Sequence, residues 1–326
     1  MEGVTLQSIR QAALAVAPQI HRTPLLASRT LSEMTGYSLW LKAENLQKTG
    51  CFKPRGALNK IARMNPEQRS RGVLAASAGN HAQGLAFAAG RLGIPVTVVM
   101  PETTPAAKIE ATRSMGAEVI LHGAGFEEAL ERSLDLQRRT GMTYVHPCID
   151  PDVVSGAGTV GLEILEDLPD VDAIVAPIGG GGLISGIGVA VKTQRDRVRL
   201  FGVQPEGSPS MKRSLEAGRL VTLASARSIA EGMSGRAVFE ETLAVAKRYV
   251  EDVLLVSDAS IVRGISLLLE RCKLLAEGAG AGPLAAILDG SLPLPKGSKV
   301  VALISGGNQD LALLAGLLKH GPPSSG

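Results

Sequence analysis

Short apolar runs alternate with amphipathic stretches of helix length along most of the chain. Gly72-Val73-Leu74-Ala75-Ala76 predicts a strand, and residues 80–92 predict the helix after it. Residues 96–100, Val-Thr-Val-Val-Met, predict the next strand. The helix that follows has Thr104 as its expected N-cap, Pro105 in its first turn and Gly116 past its end. Residues 119–121 predict a further strand, and the helix beyond it places Phe126, Ala129, Leu130 and Leu134 on one face. The second half repeats the scheme, with strands expected at 173–178, 200–203, 253–256 and 300–304 and helical patterns between most of them. Strands this apolar on both faces belong in parallel sheets covered by helices. The expected class is α/β, with two open, mostly parallel twisted sheets flanked by helices. One group of elements spans roughly 50–145 and the other roughly 150–326. Ligands of such folds sit in a crevice at the carboxyl ends of strands, here between two domains.

A length of 326 residues is enough for two domains and a substantial core. The net charge of +3, the 3% aromatic content and the lack of a Lys/Arg block give no footprint for nucleic acid. Three widely spaced cysteines, Cys51, Cys148 and Cys272, suit free thiols in a reducing compartment better than disulfides or zinc. The first eleven residues lack a basic stretch followed by an apolar run, so no signal peptide is expected. The uncharged stretch 174–191 is long enough to raise a membrane span. It contains Pro177 and a run of four glycines, and reads as strand, loop and buried helix. A cytoplasmic protein without a membrane partner is expected. Residues 321–326 read as a disordered tail. The chain ends soon after its last expected helix, which leaves no room for an appended regulatory domain.

Four segments carry candidate chemistry. In Thr49-Gly50-Cys51-Phe52-Lys53-Pro54-Arg55-Gly56, Lys53 enters a helix. A nucleophilic lysine needs a fixed position and a depressed pKa, which the helix start and Arg55 would both favour. The bland alternative is a solvated surface charge. In Ser77-Ala78-Gly79-Asn80-His81, small residues between a strand and a helix would expose N–H groups to an anion. Asn80 is either a polar ligand contact or a helix cap, and His81 either catalytic or structural. Gly179-Gly180-Gly181-Gly182-Leu183 would let a phosphate approach the backbone at a helix start, or form a tight turn. It has neither a P-loop ending nor a dinucleotide fingerprint. Ser305-Gly306-Gly307-Asn308 follows the last strand, where Ser305 could face a ring nitrogen or cap a helix.

Together and in this order, these segments resemble the serine/threonine dehydratases of the type II pyridoxal-phosphate (PLP) fold, which is similar to the tryptophan synthase β chain. The likeness is greatest to biodegradative threonine dehydratases without a regulatory domain. It runs from His21-Arg22-Thr23-Pro24-Leu25 to Ser305-Gly306-Gly307-Asn308 and includes Ala157-Gly158-Thr159-Val160-Gly161 and Glu277-Gly278-Ala279-Gly280. It implies a small domain over 49–146 and a large PLP-binding domain from 1–48 and 147–326. It implies that Lys53 holds pyridoxal 5'-phosphate covalently and later takes the substrate α-proton, with Phe52 packed on the ring. Asn80 would bond the phenolic oxygen, Gly179, Gly180, Gly181, Gly182 and Leu183 the phosphate, and Ser305 the ring nitrogen. Ser77, Ala78, Gly79, Asn80 and His81 would clasp the substrate carboxylate. Glu277 would lie near the cofactor without an assigned role. The implied reaction is elimination of water and ammonia from L-threonine or L-serine, in a homodimer or homotetramer.

Racemases of this family tend to carry serine where Ala78 stands, so elimination is favoured over racemisation. A non-catalytic amino-acid or PLP sensor is the third reading. Cys51, Ala157 and Glu231 depart from the usual serine, glutamine and aspartate. Gln204 and Ser210 replace two acids of a family cation site, and no metal is expected there.

Overall fold

The computed structural model describes residues 1–321; the part of the expected tail beyond Gly321 lies outside the described residues. Ten strands are present among the described residues: β1 (Leu25–Ala27), β2 (Ser38–Ala43), β3 (Val73–Ala76), β4 (Val96–Met100), β5 (Glu118–Leu121), β6 (Thr143–Tyr144), β7 (Ala173–Pro177), β8 (Arg199–Pro205), β9 (Asp252–Val256) and β10 (Lys299–Ile304). The helices among the described residues are α1 (Leu6–Val16), α2 (Arg29–Thr35), α3 (Lys53–Arg63), α4 (Pro66–Arg71), α5 (Asn80–Arg91), α6 (Ala106–Arg113), α7 (Phe126–Thr140), α8 (Pro151–Asp167), α9 (Gly182–Lys192), α10 (Ser210–Ala217), α11 (Glu240–Tyr249), α12 (Asp258–Leu267), α13 (Gly278–Leu288) and α14 (Leu311–His320).

The strands form two sheets, a six-stranded one in the order β1-β2-β10-β7-β8-β9 and a four-stranded one in the order β5-β4-β3-β6. All pairings are parallel except β1 on β2. The period-two geometry of a strand explains the layers. In β10, Val300, Ala302 and Ile304 point into a core with α12 and α13, while Val301 and Leu303 point into a second core with α8 and α9. In the smaller sheet, Val73, Ala75 and Val98 pack on α3 and α5. Leu74 and Val99 face the other way, toward α7.

The expected strands appear with ends shifted by a residue or two. The stretch 174–191 is β7, a loop and α9, and no described helix is long and apolar enough to cross a membrane. Three strands were missed. β6 has two residues, β1 three, and β2 carries Lys42, a charge that breaks the apolar pattern because it is buried in an ion cluster. Two expectations need correction. Thr104 does not cap α6; the N-cap is Pro105, and the buried Thr104 hydroxyl has no hydrogen-bond partner. The buried face of α7 is Ala129, Ser133 and, partly, Leu136, whereas Phe126 is half exposed and Leu130 and Leu134 are only partly buried. The helix is turned so that its small residues meet the sheet.

Helices α8 and α9 pack backbone to backbone. A Cβ on Gly158 would lie 2.8 Å from the Gly186 carbonyl oxygen and 2.9 Å from Ile9 Cδ1. Gly158→Val should therefore lower stability by about 3 kcal/mol or more in urea unfolding, since neither helix can retreat without opening the core. Gly316→Ala, in open space on α14, should instead be neutral or gain about 0.5–1 kcal/mol. Equal effects of the two variants would contradict this packing.

Candidate active site

The ends of β10 and the start of α3 are strapped together. Phe52 N–H donates to the Ser305 carbonyl at 3.1 Å, and Gly307 N–H to the Gly50 carbonyl at 2.8 Å. Cys51 forms a β-bridge with Gly306, and Asn308 Nδ2 donates to the Thr49 carbonyl at 2.8 Å. This brings Lys53, the first residue of α3, beside Ser305, the buried residue after β10. Lys53 Nζ lies 4.9 Å from the centroid of the Phe52 ring, a cation–π distance. Gly84 of α5 has no Cβ, and one there would sit 2.8 Å from Lys53 Cβ. That absence lets α5 lie directly against the lysine.

Asn80 opens α5 without capping it. The N-cap is Gly79, and Asn80 instead spans the crevice. Its Nδ2 donates to Glu277 Oε1 at 2.7 Å, and its Oδ1 accepts from Asn308 Nδ2 at 2.8 Å. The loop before it is self-tied, with Gly79 N–H donating to Ser77 Oγ at 3.3 Å. Nothing lies within 4 Å of a Cβ built on Gly79, so the loop borders open space. His81 is buried, and its Nε2 is 2.8 Å from the Val145 carbonyl. Burial and the positive charge of Lys53 push it down to about 3. A neutral imidazole tied to a carbonyl is a structural histidine.

The glycine run joins β7 to α9. Gly181 is the N-cap with φ +93°, a conformation that favours glycine. The first helical bond is Ser185 N–H to the Gly181 carbonyl at 3.0 Å, and the N–H groups of residues 179–184 find no backbone acceptor among the described residues. A Cβ on Gly180 would meet Cys148 Sγ at 2.5 Å, and one on Gly179 the Gly232 carbonyl oxygen at 2.3 Å. The run therefore tolerates no side chains on its packed side and offers unpaired donors at a helix start, the geometry that receives a phosphate.

Arg55 departs from expectation. It does not lend its charge to Lys53. Its guanidinium is fully buried and gives Nε to Glu44 at 2.7 Å and Nη1 to Glu163 at 2.6 Å. Gln204 and Ser210 also find a role. Gln204 Oε1 accepts from the N–H groups of Met211 and Lys212 at 2.9 and 3.1 Å, and its Nε2 donates to Ser210 Oγ at 3.2 Å. Among the described residues no group of three or more His, Cys, Asp or Glu could hold a metal. Glu231 reaches across to α6 and pairs with Lys108 at 2.6 Å. Glu277 was noticed in the sequence without a role. Its contact with Asn80 depends on Gly306, where a Cβ would come within 2.5 Å of Glu277 Oε1.

The sequence pattern of the family described as "Pyridoxal-phosphate dependent enzyme" matches residues 16–306, and the chain belongs to that family. A curated L-threonine ammonia-lyase of Thermotoga maritima is 48% identical over 323 residues, covering 99% of this chain and 80% of the relative. A serine racemase of maize superposes with a TM-score of 0.93 at 38% identity, covering 98% of both chains. The processed threonine deaminase isoform 2 of Solanum lycopersicum gives 0.92 at 35% identity, covering 96% of this chain and 92% of that one. The residues described fit the family's cofactor: one amine at a helix start, a hydroxyl at a strand end, and free N–H donors on a glycine run.

Burial holds the Glu277 carboxyl up at about 7, above its ordinary 4.5. A raised pKa gives stability that is full below pH 4.5 and lost as pH rises through 7. In cofactor-free protein, the unfolding free energy of wild type relative to Glu277→Gln should fall by about 3 kcal/mol between pH 4.5 and 8. Urea titrations at several pH values check this; a pH-independent difference would contradict it.

Proposed function

We propose that this enzyme is a pyridoxal-phosphate-dependent ammonia-lyase that converts L-threonine and L-serine to 2-oxobutanoate and pyruvate with release of ammonia. The observation that carries the reading is the convergence of Lys53, Ser305, Asn80 and the glycine run on one crevice. The names of the Thermotoga maritima and Solanum lycopersicum proteins support the substrate class.

The cofactor, when bound, supplies an electron sink for charge developing at the substrate α-carbon. Lys53 would hold it through its amine, and Phe52 would cover its ring. Asn80 would bond the phenolic oxygen, and Ser305 would face the ring nitrogen. Gly179 to Gly182, with Leu183, would hold the phosphate through N–H groups and the positive end of α9. Ser77, Ala78, Gly79, Asn80 and His81 form the loop that would receive the substrate carboxylate at the start of α5. His81 contributes backbone there, since its ring is committed to Val145. Lys53 would also be the base that takes the substrate α-proton. The α-proton and the β-hydroxyl would be lost together as water, and the enamine product would take up water to give the 2-oxo acid and ammonia.

The likeness to a serine racemase raises a second reading. Racemisation needs an acid on the opposite face of the substrate. Ala78, in the carboxylate loop, has no proton to give. We further propose that residues 49–146 form the small domain and 1–48 with 147–326 the large one, and that the crevice closes over the substrate. The chain should work as a homodimer or homotetramer in the cytoplasm. The three free cysteines suit a reducing compartment, and the exposed Leu311, Leu313 and Leu318 on α14 suit an assembly.

Lys53→Ala should reduce 2-oxobutanoate formation from L-threonine by about 10³-fold or more at unchanged fold. Retention of more than about a tenth of the rate would remove Lys53 from the chemistry. With L-serine, pyruvate should form at least about tenfold faster than D-serine. Comparable rates would move the assignment to a racemase, and no product at all would favour a sensor.

A further inference from the structure

Lys53 and Arg55 are two positions apart at the start of α3, which places them roughly 200° apart around the helix. Lys53 faces the crevice. Arg55 faces the interior, where each of its five N–H donors has a partner. Nε and Nη2 hold the two oxygens of Glu44 at 2.7 Å each. Nη1 and Nη2 hold the two oxygens of Glu163 at 2.6 and 2.9 Å, and Nη1 also reaches Thr159 Oγ1 at 3.1 Å. Lys42 completes the cluster, donating to Glu163 Oε2 at 2.6 Å and to the Thr23 carbonyl at 2.7 Å. The Thr23 hydroxyl in turn bonds Glu44. Two cations and two anions balance.

The elements joined are β2, the turn after it, α8 and the first turn of α3. Residues 50–52 just before that turn are strapped to the end of β10, but the turn itself is held by no side-chain bond other than those of Arg55 among the described residues. Its N-cap, Phe52, makes no side-chain cap bond, and Pro54 has no N–H. A buried ionic cluster of this kind stabilises no better than a well-packed apolar one, but it fixes orientation through directional bonds.

We infer that Arg55 is a positioning residue: its doubly held guanidinium clamps the first turn of α3 to the turn after β2 and to α8, and so sets where the Lys53 amine stands relative to Ser305 and the glycine run. The inference rests on the reading of Lys53 as the cofactor-bearing amine.

The test uses cofactor-free protein mixed with pyridoxal phosphate, following the visible absorbance gained when it joins a lysine amine, together with kcat and KM for L-threonine. Arg55→Lys keeps a charge and loses the fork; Glu163→Gln keeps the shape and loses a charge. Arg55→Lys should slow capture and lower kcat by about tenfold or more, with KM changed less than about threefold, well below its own Tm. Glu163→Gln should fall between it and wild type. Capture and kcat within about twofold of wild type in folded Arg55→Lys would overturn the inference. If Arg55→Lys does not fold, Glu163→Gln decides by the same comparison. Hydrogen exchange on unaltered holoenzyme needs no variant: amides of residues 55–58 should stay slow with or without L-alanine while those of 78–81 slow further. A response at 55–58 would overturn the clamp. Should wild type itself capture no pyridoxal phosphate on Lys53, the functional reading fails; should wild type capture it and Arg55→Lys match it, only the positioning role fails.

Discussion

The buried pairing of Arg55 with Glu44 and Glu163 is the interaction on which the rest of the site depends. It joins the turn after β2 of the six-stranded sheet, a helix that covers that sheet and the helix that carries Lys53. Arg55 and Glu44 are fully buried and Glu163 nearly so, and each is tolerable only because the others are present. Arg55 holds Glu163 below the usual carboxylate range, and Glu44 and Glu163 in turn hold the Arg55 guanidinium in its charged form. The Arg55–Glu163 pair is thereby held in its charged form and gives the fold a fixed internal reference.

The groups proposed for the site hang from that reference by backbone. The strap between residues 49–52 and 305–308 sets Lys53 beside the end of β10. The glycine run takes its place from β7, two strands' width from β2 in the same sheet. Asn80 comes from the other sheet layer and is held by Glu277 and Asn308. One amide thus ties the four-stranded part of the molecule to the six-stranded part, at the rim of the crevice where a substrate carboxylate would arrive. Parallel strands with helix starts at their carboxyl ends are what allow four short segments, distant in sequence, to meet there.

Much of this was legible in the sequence. The apolar runs of β3, β4, β7 and β10 are buried on both faces, and that burial is what marks a parallel strand. Glycine-rich segments at strand ends marked the crevice because close backbone approach excludes side chains. The failures have a common cause, which is that partners distant in sequence decide a polar residue's role. Lys42 hid β2 because its charge is neutralised by Glu163, 121 positions away. Arg55 looked like a neighbour that would tune Lys53, yet its charge is committed to Glu44 and Glu163. Asn80 had the composition of a cap and turned out to bridge the crevice, and Thr104 had the composition of a cap and caps nothing. Gln204 stands where an acid was expected and serves the start of α10 instead, a use visible only once that helix is folded against β8.

Reduction of the purified holoenzyme with borohydride, followed by peptide mapping, addresses the central claim most directly. The account predicts a phosphopyridoxyl group fixed to the Lys53 side chain and to no other lysine. A label on a different lysine, or a protein that binds no pyridoxal phosphate at all, would contradict it.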